Sequence, residues 1–141
     1  MFGSIKKKLT PEERTHYYMT LKELNDSLGF NYFGSVLFNH SLKVLEEHTA
    51  DVRLKKTLSE SIGTMLKRFK KLKRIHIPVI EAVYPFNRFI ISLQAKYLII
   101  VMSEHYIFVL YLGKRNLNIG TVMHIICPKI AALLKQLESE K

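Results

Sequence analysis

The side chains best equipped for chemistry in this chain are six histidines (His16, His40, His48, His76, His105 and His124) and a single cysteine, Cys127. A metal site needs several nitrogen, sulfur or oxygen donors held at short, regular spacing, and the histidines are scattered, with no pair spaced as ligands beside a carboxylate. "EEH" at residues 46–48 and "SEH" at residues 103–105 contain suitable residue types. Each is expected at a strand end or turn facing water, not in a reaction site. Cys127 follows Ile126 on the apolar side of the last expected helix, which makes it a buried, inert thiol. Gly29, Gly34, Gly63, Gly113 and Gly120 stand apart, so no glycine-rich loop can cradle a nucleotide phosphate. The residues point to no catalytic group, no cofactor and no metal site, hence to no enzyme.

What remains for function is charge. Twenty-two Lys and Arg against twelve Asp and Glu give a net charge of +10 and a pI near 9.7, which raises the weight of an anionic partner without bearing on fold. Much of the excess lies in "HTADVRLKKTLSESIGTMLKRFKKLKRIH", residues 48–76. Arg53, Lys55 and Lys56 fall at the start of this segment and Lys67, Arg68, Lys70, Lys71, Lys73 and Arg74 at its end. Cations at a helix C-terminus are favoured by the helix dipole, so a solvated face is one reading. An acidic protein surface, an anionic lipid surface and nucleic acid are the others. Nucleic acid is disfavoured, because base readers interleave exposed aromatic or amide side chains, whereas Phe69 and Phe108 sit in apolar stripes.

The elements that carry these groups follow from periodicity. At 141 residues the chain is expected to form one domain, with a basic leader over 1–9 and the domain over 10–141. A hydrophobic content of 48% excludes a disordered chain. The start "MFGSIKKKL" has no apolar core of a secretory signal, the longest apolar run, Tyr106–Leu112, is far short of a membrane span, and a lone cysteine fits a reducing, cytoplasmic setting. Thr10, Pro11 and Glu13 read as a capping box opening a first helix. Tyr17, Leu21, Leu24 and Leu28 form its apolar face, and Gly29 is its stop. Tyr17 and Tyr18 cannot both face inward. A hairpin is expected next, with Val36–Phe38 and Leu42–Leu45 flanking Asn39-His40-Ser41.

Asp51 caps a middle helix whose Leu58, Ile62, Met65, Phe69 and Leu72 keep one buried face. Gly63 interrupts it at a cost of about 1 kcal/mol relative to alanine, which suits close approach of another backbone. Four strands are read in "IHIPVIEAVY", "RFIISLQ", "YLIIVMS" and "YIFVLYL", joined by turns short enough for antiparallel pairing. Pro78 puts the first at an edge. The last two are apolar on both sides, so their sheet should be covered on both faces. Ile119, Val122, Ile126, Ile130, Leu133 and Leu137 mark a closing helix, which Pro128 should kink or divide.

The hairpin "GSVLFNHSLKVLEEH" followed by a helix, and the ending "YIFVLYLGKRNLNIGTVMHII" with its Asn118-Ile119-Gly120 step before the last helix, resemble the roadblock (dynein light-chain type) domain family, a relative of longin and profilin-like folds. The resemblance implies an α/β domain of order α-ββ-α-βββ(β)-α, a central, mainly antiparallel sheet with helices on both faces, the first and last helices sharing one of them. It implies a homodimer, or a heterodimer with a related domain, acting as a non-enzymatic scaffold or regulator for a Ras-like small GTPase or a complex built around one. It would place Ser59, Gly63 and Leu66, with Ile77, Val79, Glu81 and Val83 of the following strand, at the dimer seam. Arg53, Lys55, Lys56, Lys67, Arg68, Lys70 and Lys71 are the candidate partner-binding residues. The alternative is a basic module for anionic lipid surfaces or nucleic acid, with peripheral membrane contact.

Overall fold

The computed structural model describes residues 8–49, 64, 67, 87–92 and 94–139. Helix α1 (Pro11–Leu28) begins with the expected reciprocal cap: the Glu13 amide donates to Thr10 Oγ1 at 3.2 Å, and the Thr10 amide donates to Glu13 Oε1 at 2.9 Å. Tyr17, Leu21, Leu24 and Leu28 are all buried, while Tyr18 is turned outward. The helix ends at Gly29, whose φ of 57° and ψ of −132° suit a residue without a Cβ.

Strands β1 (Tyr32–Asn39), β2 (Val44–Thr49), β3 (Asn87–Ser92), β4 (Lys96–Met102) and β5 (Tyr106–Gly113) form one antiparallel sheet in the order β2-β1-β5-β4-β3. The β1–β2 hairpin is present with longer strands than expected, and Leu42 is in its turn, at φ 63°, not in a strand. The reason is Asn39: its Oδ1 accepts from the Ser41 and Lys43 amides at 2.9 and 3.1 Å, an Asx-type closure that holds the chain in a turn two residues further. "EEH" accordingly lies inside β2 and not at a strand end. Leu45 is an extra residue there, since Leu37 pairs with Glu46 and Phe38 with Val44. That bulge and the charged Glu46 and Glu47 guard an outer strand that would otherwise invite pairing.

The inner strands alternate with period two. Leu37, Ile99, Val101, Phe108, Leu110 and Leu112 join α1 and the closing helix in one buried cluster. Val36, Phe38, Leu98, Ile100, Met102, Ile107 and Val109 form a second on the opposite face. Both faces are therefore buried, and α1 and the closing helix share one, as the two-sided apolarity of these strands requires.

The closing helix, α2, runs over 119–139 and is not α-helical throughout. Residues 119–121 are α-helical, Val122–Ile126 form a wider π-helical turn in which the Cys127 amide donates to the Val122 carbonyl, and Cys127–Ser139 return to α geometry. Pro128 explains the detour. Its missing N–H and its ring are both at odds with a normal turn four residues back, and one extra residue widens that turn without ending the helix. Val122, Ile126, Ile130, Leu133 and Leu137 of the expected stripe are all buried, Cys127 is buried beside them, and Ile119, expected inside, is 44% exposed at the first position of the helix.

Candidate functional site

Two polar clusters form where the elements meet. The first is built by the β4–β5 turn and the end of α2. The Glu138 carboxylate accepts from Ser103 Oγ at 2.6 Å and from the His105 amide at 2.8 Å, and its Oε1 lies 2.6 Å from His105 Nδ1. Glu104 Oε2 stands 3.5 Å from His105 Nε2. Burial alone would raise the Glu138 pKa, but the Ser103 and His105 hydrogen bonds outweigh it and hold the carboxyl below the usual glutamate range. The sequence placed "SEH" at a strand end or turn facing water, which is where Glu104 and His105 lie, but it named no partner for them. Glu138, 33 residues from His105, supplies one, and no local spacing announces it.

Glu104, His105 and Glu138 offer donor atoms all within 4.8 Å of one another, the set among the described residues that could approach a cation. In this structure their contacts are to each other, and the cluster ties the C-terminal turn of α2 to the sheet. Replacing Glu138 by Ala should lower stability by about 1–2 kcal/mol at neutral pH, the net worth of a few hydrogen bonds to a partly exposed carboxylate. Because the folded pKa is depressed, this contribution is present above the ordinary glutamate range and disappears as pH falls through the folded value. Denaturant melts of both proteins at pH 7 and pH 3 check it: the difference should narrow at the lower pH.

The second cluster joins α1, β1 and β2. Tyr17 Oη and Ser35 Oγ, both fully buried, are 2.8 Å apart, and Tyr32 Oη lies 2.7 Å from Nδ1 of His48, whose ring stacks on the Tyr32 ring at 5.7 Å. Burial raises the Tyr17 phenol well above its ordinary pKa, and burial, opposed by the Ser35 hydrogen bond, raises Tyr32 to about 12. At the rim, Arg14 Nε donates to Glu46 Oε2 at 2.7 Å, and the Tyr18 ring meets His48 edge-on at 6.2 Å. Ser35 has no exposed surface, so its hydroxyl serves the packing of two phenols and meets no solvent-borne substrate. A lone serine inside "YFGSVLF" was the one sign of it. Cys127 is buried as expected, and that burial raises its thiol pKa, which keeps it protonated.

Of the basic residues singled out by sequence, Lys67 is described: it is helical and exposed. Arg53, Lys55, Lys56, Arg68, Lys70 and Lys71 lie outside the described residues, as do Ser59, Gly63, Leu66, Ile77, Val79, Glu81 and Val83 of the expected seam and the first of the four strands read after the middle helix. Among the described residues, no helix is long and apolar enough to cross a membrane.

No protein-family model matches the chain, and no curated protein matches it. Solved structures do. A gliding protein MglB from Thermus thermophilus superposes with a TM-score of 0.69 at 17% identity, covering 95% of this chain and 97% of that one. An MglB with a tetrameric arrangement matches with the same score and identity over 95% and 96%. MglB of Myxococcus xanthus matches at 0.69 and 14% identity over 93% and 94%. At such identity the likeness is one of fold, and it extends over almost the whole of both chains. The chain has the roadblock/longin-like fold.

Proposed function

We propose that this protein is a non-enzymatic, self-associating scaffold or regulator that binds a Ras-like small GTPase or a complex built around one. The observation that carries the reading is end-to-end agreement of fold with MglB at a TM-score of 0.69, which joins the roadblock-like element order of the sequence. A related chain seen in a tetrameric arrangement supports self-association. The mechanism is geometric. Copies joined through Ser59, Gly63, Leu66, Ile77, Val79, Glu81 and Val83 present a paired surface flanked by Arg53, Lys55, Lys56, Lys67, Arg68, Lys70 and Lys71, and this surface holds the partner in one conformation. Any gain in GTP hydrolysis arises from positioning the partner's own groups.

The test is affinity capture by the purified protein from lysate of its source, loaded with GDP or with a non-hydrolysable GTP analogue, with light scattering on the same preparation. A small GTPase retained in one nucleotide state, and a mass of at least two chains at micromolar concentration, are expected. A monomeric mass together with no GTPase in either state overturns the proposal.

A further inference from the structure

The β4–β5 turn is short and tightly held. Its Ser103 amide donates to the Tyr106 carbonyl at 2.8 Å, which leaves Glu104 and His105 at the tip between two strands of the sheet. Glu104 Oε2 lies 3.5 Å from His105 Nε2. Two donors bound to one zinc ion at about 2.0–2.2 Å and a tetrahedral angle stand roughly 3.4 Å apart. The imidazole is already set for that task. Its Nδ1 is 2.6 Å from Glu138 Oε1, so beside an ionised carboxylate Nδ1 carries the proton of the neutral ring, and Nε2 keeps its lone pair. Glu138 is itself fixed, because its other oxygen accepts from Ser103 Oγ at 2.6 Å and from the His105 amide at 2.8 Å. A carboxylate placed behind a histidine in this way sets its tautomer and orientation and raises its basicity as a ligand.

Exposure divides the same way. The His105 and Glu104 side chains are 46% and 80% exposed, within reach of an ion in water, while Glu138 is sheltered at 21%. Surface glutamates alone attract any cation weakly. An imidazole nitrogen oriented from behind and paired with a carboxylate in front favours transition ions over magnesium and calcium, which prefer oxygen. The net charge of +10 opposes any cation, but salt screens that field beyond a Debye length of ~8 Å, whereas the two carboxylates act at contact distance. From His105 Nε2 facing Glu104 across 3.5 Å, with Glu138 holding Nδ1 from behind, the geometry points to a binding site for one divalent transition-metal ion of the zinc class at the β4–β5 tip. His105 and Glu104 ligate, Glu138 is a positioning residue, and water completes the shell on the open side. A bound ion ties the tip more firmly to the end of α2 and stabilises the fold by mass action. The site is separate from the seam and the basic segment of the proposed function, and does not depend on that reading.

The probe is Zn2+ added to the full chain after chelator treatment and desalting, followed by calorimetry and by the nitrogen-15 resonances of the His105 ring. Zn2+ should move the Nε2 resonance while Nδ1 keeps its proton, and the calorimetric signal should include one ion per chain at this site. His105→Ala should remove that binding event, and Glu104→Gln should weaken it at least tenfold. Glu138→Gln should weaken it by about 10–100-fold although it does not touch the ion. A purely structural Glu138 would leave the affinity of the folded variant unchanged, and that result overturns its positioning role. Excess Mg2+ should leave bound Zn2+ in place. A His105 ring resonance that does not move overturns the inference. So does Zn2+ binding that survives His105→Ala undiminished, which would put the ion on other histidines, and so does equal competition from Mg2+, which would mark an acidic surface only. If Glu138→Gln loses its fold by circular dichroism, the wild-type resonance and Glu104→Gln, at an exposed residue, decide the matter. Capture of a GTPase by Glu104→Gln should equal wild type, so loss of the metal site and failure of the scaffold proposal are read separately.

Discussion

Replacing Tyr17 by Ala is expected to lower the free energy of unfolding by about 4 kcal/mol, within the range for deleting a large buried ring. The ring is fully buried, tilted against Phe108 with centroids 6.0 Å apart and edge-on to Tyr18 at 5.1 Å. Its removal leaves a void where α1 meets β1 and β5. Close packing prevents the neighbours from filling such a space fully. Tyr17→Phe separates the ring from its hydroxyl. It keeps the packing, deprives buried Ser35 of its 2.8 Å partner, and should cost about 1–2 kcal/mol. Urea unfolding followed by circular dichroism measures both; the slope with denaturant should stay constant, so that the midpoint carries the whole effect. A loss below about 1.5 kcal/mol for Tyr17→Ala, under the range for such a ring, would mean that α1 is not seated on the sheet through this residue.

The second large effect belongs to backbone rather than packing. At Gly29 the φ of 57° and ψ of −132° lie where side-chain-bearing L-residues are strained, and a Cβ added there meets nothing within 4 Å. Substitution therefore isolates conformational strain from steric contact. Gly29→Val should destabilise by roughly 1–3 kcal/mol, although the added side chain has open space. D-alanine at the same position, introduced by semisynthesis, has the mirror-image preference. It should leave stability unchanged or raise it by about 0.4–1 kcal/mol, because it narrows the unfolded ensemble. Opposite signs for the two replacements in parallel denaturant melts establish the mechanism. Destabilisation by both would point to contact with the new side chain instead.

Some of this was legible in the chain. Thr10-Pro11 with Glu13, the Tyr17–Leu28 stripe and the Gly29 stop define α1 because capping, periodicity and termination are interactions within a few residues. The two-sided apolarity of β4 and β5 foretold two buried faces, since period-two alternation is a local property read by whatever covers the sheet. The same locality failed at Ile119. Its spacing matched the stripe, and Val122 three residues on is fully buried, but Ile119 is the first residue of the helix and is 44% exposed.

The polar clusters were hidden for a different reason. Ser103 and His105 become a tether only because Glu138 arrives from the far end of α2, and Ser35 becomes a partner of Tyr17 only because α1 crosses β1. Likewise Arg14, Tyr18, Met19 and Lys22 are ordinary helix residues in sequence, and they line one groove because the opposite face of α1 is spent on the sheet and its flanks on α2 and β2. The sequence alone determined the elements and which of their sides are greasy, since those depend on steric and hydrophobic preferences a few residues long. Tertiary structure decided which polar groups meet and which are exposed, since hydrogen bonds and exposure depend on distances that only the assembled sheet and the helices packed on it impose.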